Sequence, residues 1–400
     1  MTTNNKIFIT SGGTGGHIIP ARCLANHLSL EDLQKGAQII FLGDKKYRNY
    51  IQADDNFKSK IINSSQLERT PLRLIKAIFK IGIGVIQSLY YFIIHRPKLV
   101  VAFGGYSTFP ILVMAVITKT KIIIHEQNSH LGKVNRIFAK YADKIALSFA
   151  ETTGISENDQ KKCVFTGNPV RNEIINLNQS TYKLPEKKKI EEPTNKMGYD
   201  VVLASDFQQN RAEENNKDPK SHLFNILVIG GSGGAEIFSR ILPQAFFNLS
   251  DSLKSEINIM QQCRKELIEE TFNQYRKFNL NGEIKDFFSD MPEKIQKAHL
   301  IIARAGSSSI FEFCSAKKPM ILIPFARSAD NHQKKNADFL KKNNAAMVIE
   351  EKDFDITKIG KILNSIIASP KTLKKMSEAA ASLAIIDATK NLAKLVQNND

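Results

Sequence analysis

Short apolar runs that end in glycine or in a polar cluster recur along this chain, with segments of helical periodicity between them. Ile7-Phe8-Ile9 leads into Ser11-Gly12-Gly13-Thr14-Gly15-Gly16-His17, after which Ala21 to Leu33 reads as a helix and Ala37 to Leu42 as a second strand. The same rhythm continues through strands Leu99 to Phe103, Lys121 to Ile124 and Val164-Phe165, with an apolar helix from Ile111 to Ile117. It resumes with strands at Leu223 to Ile229, Ile257 to Gln261, Ile301 to Ala303 and Pro319 to Pro324. Strands alternating with helices predict parallel sheets covered on both faces. A chain of 400 residues exceeds what one core usually serves, so two α/β domains are expected.

Between Asn176 and His222 the periodicity gives way to a stretch rich in Lys, Glu, Asn and Gln. Such composition buries little apolar surface and predicts a linker or an inserted, mobile surface loop. The expected division is a first domain over 1–170, a linker over 171–222 and a second domain over 223–384.

Glycine punctuates the carboxyl ends of several strands. Gly12, Gly13, Gly15 and Gly16 follow the first, Gly104-Gly105-Tyr106-Ser107 another, and Gly230-Gly231-Ser232-Gly233-Gly234 the first strand of the second domain. Glycine lets backbone N–H groups approach an anion closely, and the helix that follows adds its positive end. Neither long cluster completes a dinucleotide fingerprint or a P-loop. The pattern predicts two similar halves holding phosphate at the carboxyl ends of their strands.

Leu72 to Ile94 carries two apolar stripes, one through 72, 75, 79, 83, 86, 90 and 93 and the other through 74, 78, 81, 85, 89 and 92. One stripe covers a core; two leave apolar surface over. Arg69, Arg73, Lys76 and Lys80 edge its first turns, the pattern of a helix lying in a membrane interface. The alternative is a helix buried on both sides. Its uncharged part, Ile81 to Ile94, falls short of the roughly 20 residues a bilayer crossing needs.

Net charge is +16, which favours polyanionic partners. Without a zinc-finger spacing, an RNA-binding aromatic motif or any Trp, specific nucleic-acid recognition is not expected. Cys23, Cys163, Cys263 and Cys314 are scattered and form no C-x-x-C, which fits a reducing compartment and predicts no metal site. No apolar leader precedes the first strand, so a cytoplasmic location is expected.

Three polar clusters remain. His125-Glu126-Gln127-Asn128 ends a strand, where this fold class builds its sites. Ser309-x-x-Glu312 reads either as a capping box or as a carboxylate for the two hydroxyls of a ribose. Asp330-Asn331-His332-Gln333 opens a helix with groups suited to sugar hydroxyls or to an N-cap.

Taken in order, Gly12 to His17, Gly104 to Ser107, His125 to Asn128, Gly167-Asn168-Pro169-Val170-Arg171, Gly230-Gly231-Ser232, Arg304-Ala305-Gly306 with Glu312, and His332-Gln333 with Asn336-Ala337 resemble the motif set of the MurG family of glycosyltransferases. The resemblance runs across nearly the whole chain. It implies a GT-B fold: two Rossmann-like, doubly wound domains facing across a cleft, with the last helix, near 385–400, returning to the first domain. It implies inverting transfer of N-acetylglucosamine from its UDP donor to the 4-hydroxyl of undecaprenyl-pyrophosphoryl-N-acetylmuramoyl-pentapeptide, in peptidoglycan synthesis. No cofactor is implied, the UDP-sugar being a substrate.

By the same resemblance the donor meets Ser232, Phe288 of the Phe287-Phe288 segment, Glu312, His332, Gln333, Asn128 and Arg171. Gly13 to Gly16, Gly104, Gly105 and Tyr106 lie near the acceptor's pyrophosphate, with Thr14, Gly15 and Gly16 also counted as donor contacts. His17 is the expected base because imidazole titrates near neutrality and opens the acceptor loop; Glu126 is its rival. The implied location is peripheral, on the cytoplasmic face of the bacterial inner membrane, with Arg69, Arg73, Ile75, Lys76, Phe79 and Lys80 against the anionic leaflet. Gly233 departs from the family, which usually has glutamine there. The competing readings are another UDP-sugar enzyme of the same fold, a lipid glycosyltransferase or an epimerase, and a non-catalytic anion or nucleic-acid binding module.

Overall fold

The computed structural model describes residues 6–32, 38–50, 55–66, 70–185, 223–231 and 233–399. Two parallel sheets form its framework. The first has the strand order β3-β2-β1-β4-β5-β6-β7, built from β1 (Lys6–Ser11), β2 (Gln38–Gly43), β3 (Lys58–Ile61), β4 (Leu99–Ala102), β5 (Lys121–Glu126), β6 (Lys144–Leu147) and β7 (Cys163–Phe165). The second has the order β10-β9-β8-β11-β12-β13, from β8 (Phe224–Ile229), β9 (Ile257–Gln262), β10 (Asn281–Lys285), β11 (Leu300–Ala303), β12 (Met320–Leu322) and β13 (Met347–Val348). Both are doubly wound, so a crevice opens outside the strand ends where the order reverses, between β1 and β4 and between β8 and β11. The glycine loops after β1, β4 and β8 all occupy those crevices.

Central strands read as unbroken apolar runs because helices cover both faces. In β1, Ile7 and Ile9 face one core layer and Phe8 the other, and all three are buried. The helices of most consequence are α1 (Gly15–Asp32), α2 (Pro71–His95), α3 (Phe109–Ile117), α4 (Asn172–Leu177), α5 (Glu236–Phe247), α6 (Ser307–Ser315), α7 (His332–Lys342) and α8 (Ala388–Gln397). The last helix packs on the first domain. Leu392, Ala393 and Val396 of α8 are buried with Ile18, Ala21 and Ala25 of α1. Each such Leu or Val contributes roughly 1.5–3 kcal/mol.

The expected boundary at Arg171 needs correction, because the chain beyond it does not begin as a loose linker. Ile174 of α4 is fully buried, together with Val170, in the core of the second domain. Tyr182 then packs on the other core layer of that domain and donates its hydroxyl hydrogen to the His299 carbonyl at 2.8 Å. The remainder of the Lys-rich and Asn-rich stretch, 186–222, lies outside the described residues.

Helix α2 resolves the ambiguity of its two stripes. What it buries is a narrow line of mostly small residues, Ala77, Gly84 and Ser88, joined by Phe92 at the end of the second stripe. At Gly84 a side chain would collide with the Asn63 carbonyl oxygen and press on Pro110, so glycine permits the close approach. Phe92 meets Phe8 edge-on at 5.3 Å. The first stripe stands in solvent: Leu72, Ile75, Phe79, Ile86, Tyr90 and Ile93 are all more than half exposed. Burial on both sides is therefore excluded, and by length and composition the helix passes for a membrane span. Its packing along α3, within the crossover from β3 to β4, ties it to the sheet instead.

Candidate active site

The amino-terminal ends of α1 and α6 face each other across the domain junction, and each brings the positive end of a helix dipole. Helix α1 begins at Gly15, earlier than its apolar pattern suggests, and carries Pro20 inside its second turn. Proline has no N–H, so the Gly16 carbonyl four residues before it lacks a helical donor. Ser308 of α6 supplies one from the second domain, its hydroxyl donating to Gly16 O at 2.8 Å. The same turn of α6 excludes the capping box: Gly306 is the N-cap, and the helix starts at Ser307, so Ser309 and Glu312 are both interior.

Two further contacts pin the domains, through Asn336 and Phe149, and an ion pair ties the segment after β7 to the second domain. Asn336, at 0% exposure, accepts from the Ser129 N–H at 2.9 Å and hydroxyl at 3.0 Å, and donates to Asn128 Oδ1 and the Ala305 carbonyl, each at 3.2 Å. Arg171 binds Glu312 through Nε at 2.7 Å and through its terminal nitrogen at 2.8 Å. Phe149, following β6, inserts between Phe311 and Phe339, with ring centroids 4.9 and 5.0 Å away.

Against this junction lies a cavity of about 800 Å³, lined by Thr14 from the first domain and by Gly230, Gly231, Gly306, Ser309 and Gln333 from the second, with Arg240, Arg264, Arg304 and Arg327 around it. Gly231 has φ +86°, a conformation that favours glycine. Gln333 accepts from the Phe325 N–H at 2.9 Å through its carbonyl oxygen, so its NH2 group remains for a ligand. His332 donates through Nδ1 to the Ala329 carbonyl at 2.7 Å, which leaves Nε2 as an acceptor. Burial holds its pKa below the ordinary value, the neighbouring His17 adding to the effect and the Ala329 carbonyl opposing it.

Arg304 belongs to a motif already quoted, but Arg240, Arg264 and Arg327 are the part of the cavity that motif reading missed. Arg264, two residues beyond β9, donates to Glu236, which also pairs with Arg240 of α5. Arg304 donates to the Ile323 and Pro324 carbonyls and to both oxygens of Glu351. The carboxyl end of β9 was the available signal for Arg264, since this fold class builds sites at strand ends.

Several expected residues stand elsewhere. Both oxygens of Glu312 are held by Arg171, and Glu312 does not line the cavity, so neither residue faces a nucleotide in this arrangement. Phe288 is 2% exposed and packs in the second-domain core, while Phe287 beside it is exposed. Ser232 and Arg69 lie outside the described residues. Glu126, the rival base, is 1% exposed and accepts four N–H donors: Asn128 N and Nδ2, both at 3.0 Å, and Gly132 N and Asn135 Nδ2, both at 2.8 Å. With both oxygens holding the loop that follows β5, Glu126 orients Asn128 and has no acceptor left unoccupied in this arrangement.

The acceptor-side glycines differ from expectation in one respect. The Gly13 N–H donates to Asp44 Oδ2 at 3.2 Å and so does not point at a ligand. Asp44, 5% exposed at the end of β2, also accepts from Tyr106, whose hydroxyl is pushed upward in pKa first by burial and then by that carboxylate. Gly104 and Gly105 have φ +77° and +84°, and a side chain on Gly105 would collide with the Gly12 carbonyl, so this turn requires glycine. His17 sits where these loops meet, its Nδ1 at 2.9 Å from the Phe103 carbonyl and 2.6 Å from Gln127 Oε1.

Residues 7–147 match the glycosyltransferase family 28 N-terminal domain and residues 225–395 the family 28 C-terminal domain. The chain is 32% identical over 400 residues to a Bartonella henselae protein named UDP-N-acetylglucosamine–N-acetylmuramyl-(pentapeptide) pyrophosphoryl-undecaprenol N-acetylglucosamine transferase, covering 99% of this chain and 94% of that one. A Bartonella tribocorum protein of the same name is 33% identical over 398 residues, with the same coverage. In structure, Acinetobacter baumannii MurG superposes with a TM-score of 0.70 at 24% identity, covering 98% of this chain and 99% of that one. A UDP-bound Staphylococcus aureus MnaA gives 0.65 at 14% identity, covering 98% and 96%, which carries the fold alone. Two matched halves, in order and joined as the sheets are joined, make this chain a member of glycosyltransferase family 28, of the MurG type.

Proposed function

We propose that this enzyme transfers N-acetylglucosamine from UDP-N-acetylglucosamine to the 4-hydroxyl of the N-acetylmuramoyl unit of an undecaprenyl-pyrophosphoryl-linked pentapeptide, in peptidoglycan synthesis. One observation carries the reading: His17 sits in the first turn of a helix whose amino terminus meets a second one, and two sets of glycine loops, beside a cavity rimmed with arginines. The names of the relatives supply the substrates.

In this mechanism His17 Nε2 removes the proton of the attacking hydroxyl. The hydroxyl oxygen bonds the anomeric carbon as the bond from that carbon to the diphosphate oxygen breaks, and configuration inverts. Negative charge then gathers on the departing UDP. The N-terminus of α6, the backbone of Gly230, Gly231, Gly233 and Gly234 and the arginines beside them are suited to receive it as dipoles and charges already in place. Gln333 and His332 offer a donor and an acceptor to the sugar. Arg171 and Glu312 join the donor site once the nucleotide draws them apart, the carboxylate taking the ribose hydroxyls. A coupled assay for UDP tests the reading: release that depends on the lipid-linked acceptor is expected, whereas conversion of the UDP-sugar into an isomer with no UDP released would indicate an epimerase.

The acceptor is a lipid, and the exposed stripe of α2, edged by Arg73, Lys76 and Lys80, is suited to the anionic leaflet that carries it. Peripheral attachment on the cytoplasmic face of the inner membrane follows. The double variant Ile86→Glu/Ile93→Glu should lose most co-sedimentation with anionic vesicles at low salt while keeping turnover of a water-soluble acceptor. Undiminished sedimentation would exclude α2 as the attachment surface.

A further inference from the structure

We infer that Gln127 is a positioning residue that fixes the proton-accepting face of His17 through a hydrogen-bonded chain running to the buried His125. The inference rests on the reading of His17 as the base and extends it to the groups behind it.

Two backbone carbonyls decide how the chain is oriented. A carbonyl only accepts, so His17 Nδ1, at 2.9 Å from Phe103 O, must carry a hydrogen. Gln127 therefore presents its carbonyl oxygen to that same nitrogen, at 2.6 Å, and turns its NH2 group away. That NH2 group donates to His125 Nδ1 at 2.9 Å and to the His125 carbonyl at 3.1 Å. His125 Nδ1 is then an acceptor, so its hydrogen resides on Nε2, where the Gly167 carbonyl accepts it at 3.2 Å. Every donor in the series meets an acceptor, and reversing any one group would set two donors or two acceptors against each other. Gln127 and His125 are both at 0% exposure, where such a mismatch is costly.

The consequence falls on His17. With Nδ1 protonated, Nε2 holds the free lone pair and is the only nitrogen able to take a proton from a substrate hydroxyl. When it does, the new positive charge is shared with Nδ1–H, which points at two oxygens already in place. Gln127 thus does for His17 what an orienting acceptor does in other acid-base pairs, without a charge of its own. Burial supports the scheme from the far end by holding His125 neutral, its pKa lowered to about 4. The other titratable groups facing His17 are His125 on β5 and His332 on α7, with Asp44 and Tyr106 around the adjoining glycines.

The test combines kinetics with ¹⁵N NMR of the histidine rings, His17 being identified by the signal lost in His17→Gln. Wild-type enzyme should show a protonated Nδ1 and an unprotonated Nε2 at His17. Gln127→Leu should fold, keep its KM for UDP-N-acetylglucosamine and lose about tenfold in kcat, the scale of one net hydrogen bond. Gln127→Glu puts a negative charge against Nδ1–H and should move the acid limb of the kcat/KM profile upward by about one pH unit, because a nearby opposite charge favours the protonated imidazole. A His17 ring protonated on Nε2, or wild-type kcat in Gln127→Leu together with an unmoved acid limb in Gln127→Glu, would overturn the inference. Full activity in His17→Ala would instead overturn the reading of His17 as the base, so the two failures are distinct. If Gln127→Leu does not fold, the wild-type ring spectrum and the Gln127→Glu profile decide the matter.

Discussion

Replacing His17 with alanine should lower kcat by about 10²–10⁴-fold, the usual contribution of a general base, with little change in the KM for the UDP-sugar. The expectation follows from what surrounds the ring. Its Nδ1 is committed to Phe103 O and Gln127 Oε1, which leaves the other nitrogen to take a proton. Glu126 has no comparable freedom, since four N–H groups occupy its carboxylate. Glu126→Gln should therefore act through the loop, by shifting Asn128, and should weaken donor binding as well as turnover. Steady-state kinetics with both substrates varied separates the two patterns; a His17→Ala enzyme within a few-fold of wild type would reject the assignment.

The second large effect is expected at Arg171. Removing one partner of a buried ion pair costs about 3–5 kcal/mol, because the other charge is left without compensation. Side-chain exposure is 22% for Arg171 and 7% for Glu312, so partial hydration of the arginine reduces the expected loss in Arg171→Ala to about 2–3 kcal/mol. Burial disfavours the Arg171 charge, and Glu312 more than restores it, raising the pKa above that of free arginine. The double variant Arg171→Met/Glu312→Leu removes both charges and should recover most of that stability, yet remain defective in donor binding. Thermal unfolding with and without UDP distinguishes the roles. A double variant that regained UDP affinity along with stability would reduce the pair to a structural tie between the segment after β7 and the second domain.

How much of this was legible in the sequence depends on the physical signal each element carries. Central strands such as β1, β4, β8 and β11 are apolar on both faces and declare themselves, and the glycine loops at their ends mark the site. Edge strands do not: β3 reads Lys-Ser-Lys-Ile and β10 Asn-Gly-Glu-Ile-Lys, half-exposed sequences that pair only because a neighbour is already there. The capping box at Ser309 failed for a related reason, since Gly306 at the end of β11 starts α6 three residues earlier. No sequence pattern links Gly13 to Asp44 or Gln127 to His17, separated by 31 and 110 residues. Those contacts exist because β1, β2 and β5 place their carboxyl ends on one side of the sheet. Helix α2 was legible as an excess of apolar surface. Which face stayed bare depended on Gly84 and Ser88 fitting close against the loop and helix beneath.

The central claim is that the enzyme joins a UDP-linked N-acetylglucosamine to a lipid-linked muramoyl hydroxyl with inversion at the anomeric carbon. The direct measurement is transfer of labelled N-acetylglucosamine to a short-chain undecaprenyl-type muramoyl-pentapeptide pyrophosphate, with the new linkage read by proton NMR. Acceptor-dependent label in a β-linkage to the 4-hydroxyl is the predicted result. Intact UDP binding without label in the acceptor, or an α-linked product, would contradict it.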